Sequence, residues 1–224
     1  MLVILQGRLL STRLPCKGFL PFFQQTVWER MCDIAADLKF DKDIVFASGD
    51  NPANLVAKKM ITDKGVNFFI GDENNVFQRF YDVVKSYNHE YFLRLTCDNY
   101  LIQPDLIEAL FKEVLRTKSD YGYIAPLSHF SGEIISSRMF LDRASKSLPS
   151  EQAREHVTWD IRNDRSLKSV ILPDDFMSVD HINGVTLDTA QDFVFMKELE
   201  SRFPGLEKIR CLDELRKISL LRSE

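Results

Sequence analysis

Short continuous apolar runs recur along the chain, separated by longer stretches in which polar and apolar residues mix. Such runs are typical of strands that are buried on both faces of a sheet. We therefore predict strands at residues 2–5, 43–48, 66–70, 91–96 and 121–125.

The mixed stretches place apolar residues about every third or fourth position, which is the spacing of one helix face. We predict helices at residues 26–38, 75–87 and 104–116. A further helix is expected between Asn51 and Gly65, because Asn is a common cap, Pro52 suits the first helical position, and glycine often ends a helix.

In the first half of the chain, the predicted strands and helices alternate. That order favours a parallel sheet with helices on both faces. The second half is less regular, with strands at 133–137 and 167–172, a charged helix at 150–163, a strand-like segment at 185–187 and a helix opened by Thr189 and Asp192. We predict one doubly wound, mostly parallel α/β domain over residues 1–224, with a small inserted subdomain at about 127–172.

Composition and charge narrow the class of protein. The 224 residues are 45% hydrophobic and 28% charged, which suits a globular domain. A net charge of -4 argues against a dedicated nucleic-acid binder, and no apolar stretch is long enough to span a bilayer. The four cysteines form no C-x-x-C pair, and the first apolar run is too short for a secretory signal. We expect a reduced, cytoplasmic protein.

A basic, hydroxyl-rich loop at residues 6–18 follows the first predicted strand. Ligands bind beyond the carboxyl ends of the strands in such sheets, so this loop lies at the expected ligand edge. Arg8, Arg13 and Lys17 supply positive charge, while Ser11 and Thr12 can donate hydrogen bonds to a phosphate. The Walker P-loop pattern is absent. From these residues alone, a phosphate site and an ordinary solvated basic turn both remain open.

The pattern R-x-x-S-T-R-L-P-x-K at residues 8–17 resembles the opening motif of the CMP-sugar-synthetase-like cytidylyltransferases. It is most similar to the spore-coat-polysaccharide type, and next to the CMP-Kdo synthetases. The resemblance continues in order through residues 71–81, 94–99, 154–158 and 187–192. It implies a Rossmann-like sheet of the nucleotide-diphospho-sugar transferase type, a homodimer, and a dimerisation role for the inserted subdomain.

The resemblance implies a nucleotidyltransferase that transfers CMP from CTP to a small-molecule acceptor and releases pyrophosphate with Mg²⁺. Acceptors in the family are sugar acids or phosphorylated and phosphonate small molecules, so surface polysaccharide or glycoconjugate biosynthesis is the expected context. No nucleic-acid or membrane partner is expected. Two alternatives remain open: a nucleotide-sugar-dependent glycosyltransferase and a non-catalytic nucleotide-binding relative.

The resemblance also implies roles for individual residues. Arg13, Lys17 and Asp98 match catalytic positions, and Asp98 and Asp188 match the carboxylates that hold the metal. The implied nucleotide-binding residues are Leu5, Gln6, Gly7, Arg8, Ser11, Thr12 and Arg79. Judged by residue type alone, each aspartate could instead cap a helix or turn, and Arg79 could be a solvated helix arginine.

The acceptor site is less sharply defined. Arg94 and His156 are the implied substrate-binding residues, although an arginine near a strand end and a lone histidine can equally be structural. Other possible partners for an acidic acceptor are His129, Arg138 and Arg154.

Several residues depart from the family pattern. Gly7 replaces the usual alanine, which is harmless for a backbone contact. Cys16 and Cys97 replace glycines, so they are expected to tighten the loop and to crowd the nucleotide. Asn99 and Tyr100 stand where Cys-Pro or Glu-Pro is usual, which is expected to place a bulky phenol near the site.

Overall fold

The computed structural model describes residues 1–124, 128–171 and 186–209, and every element below lies within them. The strands are β1 (Leu2–Gln6), β2 (Pro21–Phe22), β3 (Gln25–Thr26), β4 (Asp43–Gly49), β5 (Asn67–Gly71), β6 (Tyr91–Thr96), β7 (Tyr121–Tyr123), β8 (Glu133–Ser136) and β9 (Ser169–Ile171). The main sheet has the order β5-β4-β1-β6-β8-β7-β9, and β2 pairs with β3 in a separate ribbon. Neighbours in the main sheet are parallel, except that β8 runs antiparallel to β6 and β7.

Helices connect these strands. They are α1 (Val27–Asp37), α2 (Lys58–Asp63), α3 (Val76–Ser86), α4 (Pro104–Thr117), α5 (Ser128–Ser131), α6 (Ser137–Lys146), α7 (Glu151–Glu155), α8 (Trp159–Arg162) and α9 (Ala190–Arg202). Short 3₁₀ helices lie at Lys17–Phe19, Pro52–Ala57 and Leu206–Lys208.

The helices cover both faces of the sheet. Helices α1, α4 and α9 enclose one apolar cluster with Val3 and Leu5, whereas α3 and α6 enclose the other with Leu2 and Ile4. All four of these residues belong to β1. They divide between the two clusters because successive side chains of a strand point to opposite faces of the sheet. The predicted doubly wound, mostly parallel α/β sheet is confirmed.

The helix starts follow the signals in the sequence. Thr26 and Glu29 form a capping box at the start of α1, and Thr189 and Asp192 form another at the start of α9. The side chain of Asn51 caps a 3₁₀ turn that leads into α2, instead of an α-helix directly.

The prediction of one charged helix at residues 150–163 is wrong, because α7 and α8 are separate helices. Between them, Val157 is fully buried, and the hydroxyl of Thr158 donates to the buried carboxylate of Glu133 at 2.9 Å. Two consecutive side chains therefore both point inward, whereas a continuous helix separates neighbours by about 100°. The chain leaves the helical path to bury both.

Predicted strand ends at residues 125, 172 and 185 lie outside the described residues. Within the stretch 127–172, β8 and β9 pair with other strands of the main sheet. The dimerisation role of an inserted subdomain in this stretch stays a prediction.

Candidate active site

A cavity of about 660 Å³ opens at the carboxyl ends of β1 and β6. This is the edge at which open α/β sheets bind ligands. The loop after β1, the start of α3, the end of α7 and the segment before α9 form its walls. The lining residues are Gln6, Gly7, Arg8, Ser11, Thr12, Arg13, Lys17, Trp28, Asn74, Val76, Arg79, Arg94, Thr96, Cys97, Asp98, Glu155, His156 and Asp188.

Every residue implied to be catalytic, nucleotide-binding, substrate-binding or metal-binding lines this cavity except Leu5. The Leu5 side chain is fully buried in the cluster beneath α1, and its backbone lies between β4 and β6 in the sheet. A central strand position with both neighbours in place leaves no free edge for a base. A contact of Leu5 with the nucleotide would therefore not come from a free strand edge, and its nucleotide-binding role stays a prediction.

Two carboxylates that are far apart in sequence meet around one ammonium group. Lys17 Nζ donates to Asp98 Oδ2 at 2.7 Å and to Asp188 Oδ1 at 2.8 Å. Arg13 Nη2 lies 3.0 Å from Asp188 Oδ2. The structure thus brings the four predicted catalytic and metal-binding residues into one contiguous ion cluster.

Backbone and side-chain bonds hold the segment before α9 against the loop after β6. The Leu187 amide donates to the Asp98 carbonyl at 2.9 Å, and the Thr186 hydroxyl donates to Asn99 Oδ1 at 2.7 Å. The amide of Asp188 donates to the capping carboxylate of Asp192 at 3.0 Å. Asn99, one of the departures from the family pattern, therefore helps to position the Asp188 carboxylate.

The ion cluster shifts the pKa values of Lys17 and Asp188. Burial lowers the pKa of Lys17, but Asp98 and Asp188 outweigh burial and hold that pKa above its ordinary value. Burial likewise raises the pKa of Asp188, while Lys17 and Arg13 outweigh burial and lower that pKa. Lys17 and Asp188 are therefore both ionised at neutral pH.

The cluster also fits the chemistry of Mg²⁺, which prefers oxygen ligands and usually takes only one or two from carboxylates. Asp98 and Asp188 both come within hydrogen-bond distance of one Lys17 nitrogen, so a cation already sits between them. Among the described residues, no group of three or more His, Cys, Asp or Glu side chains could hold a metal. A metal held by these two carboxylates would need phosphate oxygens or water as further ligands.

The basic loop is held in a defined shape. Cys16 adopts a left-handed backbone conformation with φ 58°, the conformation that favours glycine, and begins the 3₁₀ helix that carries Lys17. The loop is tied down by the Leu9 amide, which donates to Asn54 Oδ1 at 2.7 Å. Arg8 makes no hydrogen bond or ion pair with the residues that the structure describes, so its charge is available to a ligand.

Gly7 is less replaceable than the sequence indicates. A Cβ atom at this position would lie 2.5 Å from a ring carbon of Phe46 and 3.1 Å from one of Trp28. Alanine does not fit without movement of these rings. Glycine suits this position because bulky neighbours occupy the space of an alanine methyl, and the expectation that glycine is harmless for a backbone contact stays a prediction.

Tyr100 does not reach the cavity, contrary to expectation. Its side chain is fully buried, and its ring packs against Phe22 with centroids 5.1 Å apart. Cys97 does line the cavity, but burial raises the pKa of its thiol, which does not favour a nucleophilic thiolate.

Arg79 is buried instead of solvated. Only 1% of the residue is exposed, and Nη1 donates to the Asp72 carbonyl at 3.1 Å. Its Nε has no hydrogen-bond partner among the described residues. Burial lowers the pKa of Arg79 to about 10, and the nearby Arg8 contributes in the same direction. An anion in the cavity would offset the positive charge of this guanidinium.

The two predicted substrate-binding residues differ in their surroundings. Arg94 is mostly buried and bonds to Gln6 and Glu133, whereas His156 is exposed at the end of α7. The other possible acceptor partners do not line the cavity. They are His129, Arg138 and Arg154.

Several lining residues were not identified from the sequence as site residues. They are Trp28, Asn74, Val76, Thr96 and Glu155. Trp28 and Val76 belong to apolar helix faces, so nothing distinguishes them from core residues. Thr96 could have been found, because it ends the strand that precedes Asp98 and therefore lies at the ligand edge.

The cytidylyltransferase family model matches residues 2–222, so the chain belongs to the cytidylyltransferase family. The spore coat polysaccharide biosynthesis protein SpsF of Bacillus subtilis (strain 168) is 30% identical over 207 residues, which cover 88% of this chain and 85% of that protein.

Solved structures share the fold. A cytidylyltransferase from Leptospira borgpetersenii serovar Hardjo-bovis (strain JB197) matches with a TM-score of 0.83 at 23% identity, over 99% of this chain and 94% of that chain. A CMP:2-keto-3-deoxy-manno-octonic acid synthetase complexed with CTP matches with a TM-score of 0.67 at 10% identity, over 90% and 98% of the two chains.

None of the helices in the described part of the chain combines the length and apolar character needed to cross a bilayer.

Proposed function

We propose that the protein transfers CMP from CTP to a sugar-acid or to a phosphorylated or phosphonate small molecule, with Mg²⁺ and release of pyrophosphate. Family membership supports the cytidylyl donor, and the relative named for spore coat polysaccharide biosynthesis supports surface polysaccharide or glycoconjugate biosynthesis as the context. The protein is further proposed to be a cytoplasmic homodimer, which light scattering and cell fractionation test.

The ion cluster is the observation that carries this proposal. Arg13 and Lys17 come from the basic loop, and they meet Asp98 and Asp188 at the ligand edge of the sheet. A glycosyltransferase has no need to hold a departing pyrophosphate, so cations of this loop beside a carboxylate pair favour nucleotidyl transfer over that alternative.

The charge of the cavity also suits a nucleoside triphosphate. Its five cationic side chains are Arg8, Arg13, Lys17, Arg79 and Arg94, and its three carboxylates are Asp98, Glu155 and Asp188. The lining thus has two more positive than negative groups, although the whole chain has a net charge of -4. Clefts lined by one sign of charge concentrate ligands of the opposite sign.

In the proposed reaction, an acceptor oxygen bonds to the α-phosphorus of CTP, and the bond from that phosphorus to the pyrophosphate oxygen breaks. Negative charge grows on the pyrophosphate as it leaves, and cations placed in advance stabilise it. Arg8, Arg13 and Lys17 are the residues proposed for this role, with Ser11 and Thr12 as hydrogen-bond donors. Mg²⁺ held by Asp98 and Asp188 would supply positive charge beside the α-phosphate.

Pyrophosphate release from CTP and Mg²⁺, measured over a panel of sugar acids, sugar phosphates and phosphonates, tests the proposal. We expect release with CTP and one acceptor class, and none when UDP-sugars replace CTP. Tight CTP binding without release on any acceptor would instead support the non-catalytic relative. Sugar transfer from a UDP-sugar would support the glycosyltransferase.

A further inference from the structure

Glu133 lies at the centre of a buried cluster next to the cavity. It is 2% exposed on β8 and stands directly opposite Arg94 of β6 in the strand register. Its carboxylate accepts from Arg94 Nη1 at 2.6 Å, from Arg162 Nε at 2.8 Å and from the Thr158 hydroxyl at 2.9 Å. The Tyr121 hydroxyl also donates to it.

Two contacts fix the Arg94 guanidinium. Besides the bond to Glu133, Nε donates to Gln6 Oε1 at 3.0 Å. Nη2 makes no hydrogen bond with the part of the chain that the structure describes, and the side chain lines the cavity. A guanidinium that is held on two sides keeps its remaining donors in a fixed direction, which suits recognition of a carboxylate or phosphate.

The charges in the cluster do not cancel. Arg94 and Arg162 are both cationic and share one carboxylate, while burial and then Glu133 raise the pKa of Tyr121, so that phenol stays neutral. Burial alone would raise the pKa of Glu133, but Arg94 and Arg162 outweigh burial and lower it well below its usual range. One positive charge is left over.

Arg94 comes from β6, whereas Arg8, Arg13 and Lys17 come from the loop after β1, and all four line the same cavity. In phosphoryl transfer the attacking and leaving oxygens lie roughly in line on opposite sides of the phosphorus. Arg8, Arg13 and Lys17 are already proposed for the leaving pyrophosphate, so the cavity cation Arg94 remains for the group that attacks from the other side.

We infer that Arg94 binds an anionic group of the acceptor, a carboxylate or a phosphate, and that Glu133 is the positioning residue that holds Arg94 ready for it. This inference rests on the proposed function for the identity of the ligand as the acceptor.

The Arg94 Nε–H signal in a ¹⁵N NMR spectrum of the full chain tests the inference without CTP. The Arg94→Gln variant assigns the signal by its loss. We expect a rigid Nε–H in the free protein, and a shift of this signal on addition of inorganic phosphate or of acetate. A signal shift with phosphate but not with acetate would identify a phosphorylated acceptor group. A shift with acetate but not with phosphate would identify an acceptor carboxylate.

Glu133→Gln removes the charge of the positioning residue with little change of shape. We expect it to mobilise the Arg94 Nε–H and to weaken anion binding at Arg94 about tenfold, because the guanidinium loses a charged partner. Thr158→Val is the matched control, since it removes another donor to Glu133 and leaves Arg94 and its two contacts intact. This control is expected to bind both anions within about twofold of the wild type.

A folded Glu133→Gln protein with a rigid Arg94 and unchanged anion binding would overturn the positioning role. If that variant does not fold, a mobile Arg94 Nε–H in the wild type overturns the role, and a rigid one supports it. No response of the Arg94 signal to either anion would overturn the anionic acceptor group. None of these results depends on pyrophosphate release, so failure of the inference and failure of the proposed function are distinguishable.

Discussion

At the scale of single residues, the Lys17 ammonium lies between Asp98 and Asp188, the two carboxylates proposed to hold Mg²⁺. Its Nζ bonds to both carboxylates, and its side chain is only 14% exposed. The ammonium thereby offsets the repulsion that two neighbouring carboxylates would otherwise create. A divalent cation that binds here must displace Lys17, which then becomes free to contact phosphate.

Lys17→Met therefore has opposite effects on metal binding and on turnover. We expect Mn²⁺ to bind without nucleotide about tenfold more tightly than in the wild type, because two carboxylates lose their internal counterion. Pyrophosphate release is expected to fall, because a phosphate-binding cation is lost. Electron paramagnetic resonance measures free Mn²⁺, and Lys17→Arg is the control that keeps the charge. Equal Mn²⁺ affinity in wild type and Lys17→Met would show that the Lys17 ammonium does not compete with a metal for Asp98 and Asp188.

Cys16 affects the stability of the basic loop through its backbone conformation more than through its side chain. Its φ of 58° places the residue in the left-handed region, where the Cβ atom of any residue other than glycine is crowded by the backbone. We expect Cys16→Gly to raise the free energy of unfolding by about 1 kcal/mol, since glycine adopts this conformation without the steric cost. Urea unfolding measures the difference. Cys16→Ala retains the Cβ atom and should show no such gain, so an equal gain in both variants would refute the backbone explanation.

At the scale of elements, the segment before α9 determines where Asp188 lies. Two bonds to the loop after β6, from Thr186 and Leu187, join elements that are far apart in the sequence. The capping box at the start of α9 fixes the other end of the same segment. The position of Asp188, and with it the geometry of the proposed metal site, therefore depends on residues outside that site.

Thr186→Val keeps the shape of residue 186 but removes its hydroxyl bond to Asn99. We expect Mn²⁺ affinity to fall about tenfold, as is typical when a group that orients a metal ligand is lost. Calorimetry measures the affinity. Thr62→Val, which removes an exposed hydroxyl on α2, is the control and should bind as the wild type does. Unchanged affinity in a folded Thr186→Val protein would show that Asn99 does not position Asp188.

Local signals explain which elements could be predicted from the sequence. Buried strands such as β1 and β6 appear as apolar runs, and the caps at Thr26 and Thr189 mark helix starts directly. The cations of the basic loop were recognisable from one continuous motif. The break between α7 and α8 and the contacts of Glu133 depend on pairing across β6 and β8, which no local pattern records. The tight surroundings of Gly7 also leave no local signal in the sequence, because its neighbours Trp28 and Phe46 come from other elements.

At the scale of the whole molecule, one sheet brings together residues that are far apart in the sequence. The basic loop at residues 6–18 and the Asp188 carboxylate meet in one cavity at the edge of that sheet. The buried carboxylate of Glu133 joins β6, β7 and α8 beside that cavity through Arg94, Tyr121 and Arg162. Its charge state therefore affects the stability of the fold as well as the site.

The pH dependence of stability follows from the lowered pKa of Glu133. The unfolded value is near 4.5, and the folded value is lower because Arg94 and Arg162 outweigh burial. The stabilisation is therefore fully present above about pH 4.5 and is lost as the pH falls through the folded pKa. We expect the difference in unfolding free energy between wild type and Arg162→Gln to be constant near neutral pH and to shrink below pH 4.5.

Urea unfolding at a series of pH values measures this difference. Arg165→Gln, at an exposed position near Arg162, is the control and should show no comparable pH dependence. A difference that instead grows as the pH falls would mean that Glu133 is not ionised in the folded protein.

The most direct test of the account is a crystal structure with CTP and Mn²⁺, in which anomalous scattering locates the metal. We predict a peak within coordination distance of both the Asp98 and Asp188 carboxylates, with Lys17 and Arg13 moved onto the triphosphate. A metal bound elsewhere, or CTP bound with its phosphates away from the basic loop while Lys17 still joins the two aspartates, would contradict it.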